Sequence, residues 1–264
     1  MDSSLAHDRY FTQADWCLII KKPQCVLPVR NQMETDTCYA FAVTATMFGD
    51  EMARDGSSLI GSAQEFLDYI HWFRRPKQVE TKKGPFDVKM SGYPTSFERA
   101  FRYAVTYGVS PDRVYPWLGT VSSSPVVDGP WDGIVKANGR IIQINEKIRI
   151  TNYKILHTEE QVLRMLHNQP VTGGIYMPKN FINWKSKEIL LVAGNVDAGL
   201  HAVTIIGYGS EVKKNICGRE EKLKYYICQN SYGNGWGYKG YFKVLRHLIG
   251  FHYIPIGTCS PVGA

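Results

Sequence analysis

The spacing of apolar residues changes character once along this chain, near residue 170, and that change limits the architectures open to it. Before it, Phe41, Ala45, Phe48 and Met52 recur at helical intervals, and the pattern stops at Asp55-Gly56. Further helices are predicted over 62–71, where Ser62 can cap and Glu65 sits at the capping-box position, and over 95–107, closing at Gly108. One more is predicted over 158–166. After it the apolar runs are short and strand-like, at 171–177, 189–192, 201–208, 222–228 and 241–245. The spacing therefore predicts an α+β chain, helical first and then an antiparallel sheet or barrel.

With 264 residues and 44% hydrophobic content, the chain can bury a large core in one domain or two closely packed halves. No apolar run approaches the ~20 residues of a membrane span. The N-terminus, MDSSLAHDRYFTQADW, lacks the basic-then-apolar profile of a signal peptide. The net charge is +7, but Lys and Arg are scattered and no nucleic-acid motif accompanies them, so a solvated basic surface is expected. The charged stretch from Lys213 to Lys222 is predicted to be an extended hairpin loop.

Four residues carry chemistry. Gln32 precedes Cys38, which opens the first predicted helix; His201 enters an apolar strand; Asn230 precedes the aromatic, Gly-rich turn Ser231-Tyr232-Gly233-Asn234-Gly235-Trp236-Gly237. Peptide hydrolysis by a thiol needs a nucleophile, a proton carrier, a group to orient that carrier, and donors for the oxyanion. A helix N-terminus favours a thiolate, and a facing imidazole can lower its pKa from ~8.5 toward ~3–4.

The order Gln, Cys, His, Asn, with its flanking residues, resembles the papain-like cysteine proteases. The likeness runs from about Asp15-Trp16 to the C-terminal tail. It includes Pro28-Val29-Arg30-Asn31-Gln32, the step from Gln32 to Cys38, Ser62-Ala63-Gln64-Glu65-Phe66-Leu67-Asp68, Gly92-Tyr93-Pro94, Gln169-Pro170-Val171 and Gly237-Tyr238-Lys239-Gly240-Tyr241. The resemblance implies a two-lobed fold with the site in the cleft between lobes. Residues 1–14 would be an N-terminal extension, 15–120 a helical left lobe, and 121–264 a β-barrel-like right lobe whose tail can pack back on the left. Cys38 would be the nucleophile, ionised against a His201 imidazolium; Asn230 would orient the ring; Gln32 and the Cys38 backbone N–H would hold the oxyanion. Gly92 would pair with substrate backbone, and Tyr93, Pro94, Leu200, Ala202 and Ile254 would line an apolar pocket for the second residue before the cut. Tyr232 would join these substrate-binding residues, and it stands where the family has a Trp that shields the Asn–His contact. The implied partners are a peptide or protein substrate and a cystatin-like inhibitor, with no metal, organic cofactor, nucleic acid or membrane. Two other readings share these residues: a non-catalytic module that binds peptides or a protein in its cleft, and a ligase that uses the same acyl-enzyme.

The departures from the family are informative. Its Cys three residues before the nucleophile is Thr35 here, and the expected partner falls at Lys89 or a neighbour; a second Cys position is Tyr69, and 118–124 offers it no partner. Losing a disulfide typically costs ~2–5 kcal/mol, so the joint loss of both halves of two bridges implies a reducing compartment, the cytoplasm if the chain is complete, with a vacuolar, lysosomal or secreted setting expected of a mature-domain fragment. The six cysteines could instead pair anew, as Cys17 with Cys25 or Cys217 with Cys259. Beside the thiol, Asp36 replaces a Gly and Tyr39 a Trp. A carboxylate two residues from the sulfur would oppose ionisation if it turned inward.

Overall fold

The structure, a computed structural model, describes residues 3–55, 59–70, 95–120, 135–137, 140–142, 147–214 and 217–259. In chain order the elements are α1 (Arg9–Thr12), β1 (Trp16–Cys17), α2 (Leu18–Lys21), α3 (Cys38–Asp55), α4 (Ala63–Tyr69), α5 (Phe97–Thr106), β2 (Val135–Ala137), β3 (Arg140–Ile142), β4 (Arg149–Leu156), α6 (Glu159–Leu166), β5 (Val171–Tyr176), β6 (Ile189–Leu190), β7 (Leu200–Lys214), β8 (Glu220–Gln229), β9 (Tyr241–Leu245) and β10 (Gly250–Cys259).

α3 is the axis on which the rest is assembled. Every residue from Tyr39 to Glu51 is buried. A helix apolar all round must be covered on all sides; here α4 and α5 pack on it together with strands β5, β7 and β10. The hydroxyls this buries are satisfied close by. Thr44 Oγ1 donates to Ala40 O at 2.7 Å, and Thr46 Oγ1 pairs with Thr172 Oγ1 of β5, also at 2.7 Å, which ties helix to sheet.

Ser62 caps α4 as expected, its Oγ accepting the Glu65 N–H at 3.0 Å. The reciprocal half of the capping box is absent. Ser62 N–H goes to Ser110 O, and the Glu65 carboxylate turns inward to Lys147 Nζ at 2.7 Å, Tyr103 OH at 2.8 Å and Ser110 N–H at 2.8 Å. Glu65 and Lys147 are both completely buried, so this ion pair lies in the core of the helical part.

The sheet runs β4-β10-β5-β7-β8-β9-β6, with β1 added beside β7. It is open, so the expected barrel does not close: β4 and β6 are its ends, and β4 packs on α5 instead of completing a ring. All neighbours are antiparallel except β6 and β9. Leu5, Tyr10 and Phe11, from the first fourteen residues, are buried with Ile206, Tyr225 and Ile227 of the sheet. The charged stretch expected as a loop lies in the paired ends of β7 and β8, with Lys213 opposite Glu221 and Lys214 opposite Glu220. Opposite charges are then cross-strand neighbours, which supports the ribbon. Cys17, Cys25, Cys38, Cys217 and Cys228 are free thiols, so Cys17 and Cys25 do not form the alternative bridge. The side chain of Cys259 lies outside the described residues. No helix among the described residues is long and apolar enough to cross a membrane.

Candidate active site

Cys38 is the first residue of α3, half-buried at the helix N-terminus. The approach to it is held by side-chain hydroxyls. Thr35 Oγ1 donates to Gln32 O at 2.6 Å and lies 2.5 Å from Thr37 Oγ1, so a buried hydrogen-bonded turn occupies the place of the family's disulfide. Asn31 Oδ1 accepts the N–H of Met33, which takes a left-handed φ of 56° in the same turn. Burial pushes the Cys38 thiol up to about 11; the backbone amides of Ala202 and Tyr39 pull against that, and the charge of Asp36 adds to it. Asp36 itself is exposed, so its carboxylate does not turn in under the sulfur.

The opposite wall is built by strand pairing. His201 lies near the start of β7 and Asn230 follows the end of β8, and the antiparallel register, with Thr204 opposite Gln229, brings both to one end of the sheet. His201 Nε2 is 2.7 Å from Asn230 Oδ1, and the same oxygen accepts the Ser231 N–H at 2.8 Å. An oxygen that already accepts from a backbone amide accepts from the ring as well, so Nε2 carries hydrogen and Nδ1 is the free nitrogen of the neutral ring. His201 and Asn230 are each 3% exposed. Asn230 Nδ2 has no partner among the described residues. Burial lowers the His201 pKa to about 4, only partly opposed by the bond to Asn230. The resemblance implies an ionised pair at neutral pH; burial works against charge on both groups, raising the thiol and lowering the imidazole, while the helix N-terminus, the backbone amides and the bond to Asn230 act in the opposite sense.

Tyr232 covers the ring with its own ring centroid 4.9 Å away, and its hydroxyl reaches His201 Nδ1 at 3.3 Å. Phe181 closes the next side at 5.7 Å. The buried Gln32 faces this wall: its backbone N–H donates to Ser231 O at 2.7 Å, Ser231 Oγ donates to its Oε1 at 2.6 Å, and its Nε2 donates to Thr35 O at 2.5 Å. One Nε2 hydrogen remains for an oxyanion. Ser231 was not assigned a role from sequence. It had a signal, its place between Asn230 and Tyr232, but only the fold shows that it grips Gln32 and Asn230 at once.

A groove of about 710 Å³ runs past Gln32, Asp36, Cys38, Leu200, His201 and Tyr232. It thus gathers three of the four chemistry-bearing positions, with Asn230 buried behind the ring. Leu200 is 43% exposed at its edge, whereas Ala202 is buried against Phe41 and lines a small internal cavity. Ile254 does not line the groove; it is buried in the sheet core with Leu156 and Val171. Gly92, Tyr93 and Pro94 lie outside the described residues. Tyr39 is buried with its ring 6.3 Å from Phe66, a packing role.

Chymopapain of Carica papaya is 29% identical over 254 residues, covering 93% of this chain and 58% of that protein. The KDEL-tailed cysteine endopeptidase CEP2 of Arabidopsis thaliana is 26% identical, covering 90% and 55%. The chain therefore spans somewhat more than half the length of these two relatives. Among solved structures, the bromelain protease of Ananas comosus in complex with the E64 inhibitor superposes with a TM-score of 0.62 at 23% identity, covering 90% of this chain and 96% of that one. At that identity the likeness establishes the fold. The model of the papain family of cysteine proteases matches residues 12–258, nearly the whole length, with Cys38, His201 and Asn230 inside it. The chain belongs to the papain family of cysteine proteases.

Proposed function

We propose that this protein is a cysteine endopeptidase, and the observation that carries the reading is that His201, held from behind by Asn230 at 2.7 Å, lines the same groove as a thiol at the head of α3. As substrate binds, the Cys38 proton moves to His201 Nδ1 while sulfur attacks the carbonyl carbon. The oxyanion takes the free Gln32 Nε2 hydrogen and the Cys38 backbone N–H. His201 then gives its proton to the departing amine, and water releases the acyl group by the reverse path. Asn230 keeps the ring facing Cys38 throughout.

Endopeptidase action is supported by the groove's continuation. Past Met177, Ile182 and Asn183 it opens into a second groove of about 1010 Å³, so chain on the departing side has somewhere to lie. On the other side, exposed Leu200 supports an apolar preference two residues before the cut. Peptides differing only at that position test this: Leu should be cleaved several-fold faster than Asp, and equal rates would refute it. A protein inhibitor of the cystatin kind would occupy the same groove. A reducing setting is supported by the free thiols of Cys17, Cys25, Cys217 and Cys228; a relative named for a KDEL tail, an address for the endoplasmic reticulum, lends no support to the cytoplasm in particular.

The direct test is intact-mass spectrometry after exposure to an epoxysuccinyl peptide inhibitor, the chemistry seen on the bromelain relative. One adduct, absent from Cys38→Ala, is expected. No adduct, or slow labelling spread over several cysteines, would sink the enzyme reading and favour a binding module.

A further inference from the structure

We propose that the groove between α1, the far end of β7 and Lys243 of β9 binds a phosphate-class oxyanion, with Lys243 as its buried cation. The groove holds about 420 Å³ and shares no residue with the one at Cys38, so its occupancy is a separate question from the peptidase chemistry. Lys243 is only 7% exposed. Its Nζ stands over two rings, Tyr10 at 4.6 Å and Tyr225 at 4.8 Å, and has no hydrogen-bond or ion-pair partner among the described residues. Ring faces attract an ammonium but leave its three N–H donors without an oxygen acceptor. An ammonium withdrawn from water without a counter-ion is unfavourable, and burial pulls the Lys243 pKa below its ordinary value, only partly opposed by Glu211 and Glu188.

The carboxylates around the groove are already engaged. Lys213 pairs with Glu188 and, at 3.0 Å, with Glu211. Asp8 accepts from Tyr238 OH at 2.5 Å and from Lys239 Nζ at 3.2 Å. The cations are not engaged in the same way. Lys187 rests over the Tyr238 ring at 4.4 Å, and neither it nor Arg9 has an ion-pair partner among the described residues. Tyr10 and Tyr238 are neighbours with centroids 4.5 Å apart, so two unpaired ammoniums stand over adjoining rings. Three free cations call for more negative charge than one carboxylate carries, which favours a phosphoryl group, at about −1.5 to −2 near neutral pH. A volume of this size admits a small organic phosphate as well as the free ion. Asp8, Arg9 and Tyr10 precede residue 12, where the match to the papain family begins, so one wall of the groove is this chain's own addition to that frame.

The experiment is thermal unfolding of the native protein, Lys243→Met and Lys187→Ala in millimolar inorganic phosphate, against acetate and chloride at equal ionic strength. Phosphate should raise the native midpoint by roughly 3–6 °C, with acetate well behind and chloride without effect. Lys243→Met should lose that gain, and Lys187→Ala, at an exposed position, should weaken binding by about two- to fivefold. No phosphate-specific gain in the native protein, or an equal gain in Lys243→Met, would overturn the site. If Lys243→Met folds poorly, ³¹P NMR decides: the native protein should broaden the phosphate line, and a variant combining Lys187→Ala with Arg9→Ala should broaden it less. Equal broadening by both would overturn the site. Glycerol phosphate separates the two sources. Tighter binding than the free ion assigns the groove to an organic phosphate, equal binding assigns it to the ion, and both require Lys243.

Discussion

Replacing His201 by alanine is expected to lower kcat on a fluorogenic peptide by about 10⁴-fold or more, with little change in KM. The ring's work is confined to the transition state: it takes the thiol proton as sulfur attacks and returns it to the leaving amine, whereas the groove that binds substrate is walled mainly by other residues. The substitution leaves a hole beside Phe181 and Tyr232, so a stability loss of about 2–3 kcal/mol should accompany it. A folded fraction measured by circular dichroism separates the two effects. If the folded variant kept kcat within tenfold of the native value, His201 would not be the proton carrier.

The second large effect is on stability and lies far from the groove. Lys147→Met should destabilise the protein by about 3–5 kcal/mol, lowering the thermal midpoint by roughly 10 °C, because it strands the Glu65 carboxylate in a site with no solvent. Methionine fills much of the lysine stem's volume, so packing loss is a minor part. Tyr103 OH and Ser110 N–H still donate to Glu65 but supply no compensating full charge. The double variant Glu65→Gln with Lys147→Met removes the stranded charge and should recover more than half of the loss in urea unfolding. A single variant within 1 kcal/mol of native, on the order of one ordinary hydrogen bond, would show that the pair contributes little.

The long elements and the four reactive positions were legible in sequence because each advertised itself locally. α3 announces its length through helical spacing ended by Asp55-Gly56, and α6 through Thr158, which caps it by accepting the Gln161 N–H. Strands β4 and β10 did not. In β4 only Ile150 and Leu156 are fully buried, so its sequence shows no clean alternation, and β10 contains Pro255 and a Gly257 at φ 60°, residues that usually mark a chain leaving a sheet. Both are strands because tertiary pairing overrides those preferences, each being the other's partner. Within the site, residue identity was readable but protonation was not. How strongly burial opposes charge on Cys38 and His201 depends on how deeply the fold packs them, and that depth is not written in spacing. Ser231 illustrates the same limit, since its value lies in touching two residues 199 and one positions away in the chain.

That double grip has a bearing on how the protein can be rebuilt. Gln32 comes from the segment leading into α3 and Asn230 from the end of β8, and Ser231 fastens the two through its hydroxyl, its amide and its carbonyl. A chimera that borrowed one half from a relative would keep working only if the graft preserved this clasp, because a shift at either side would carry the oxyanion donor and the histidine's anchor out of step together. Specificity can be traded through the groove's edges; the halves themselves are inherited as a matched set.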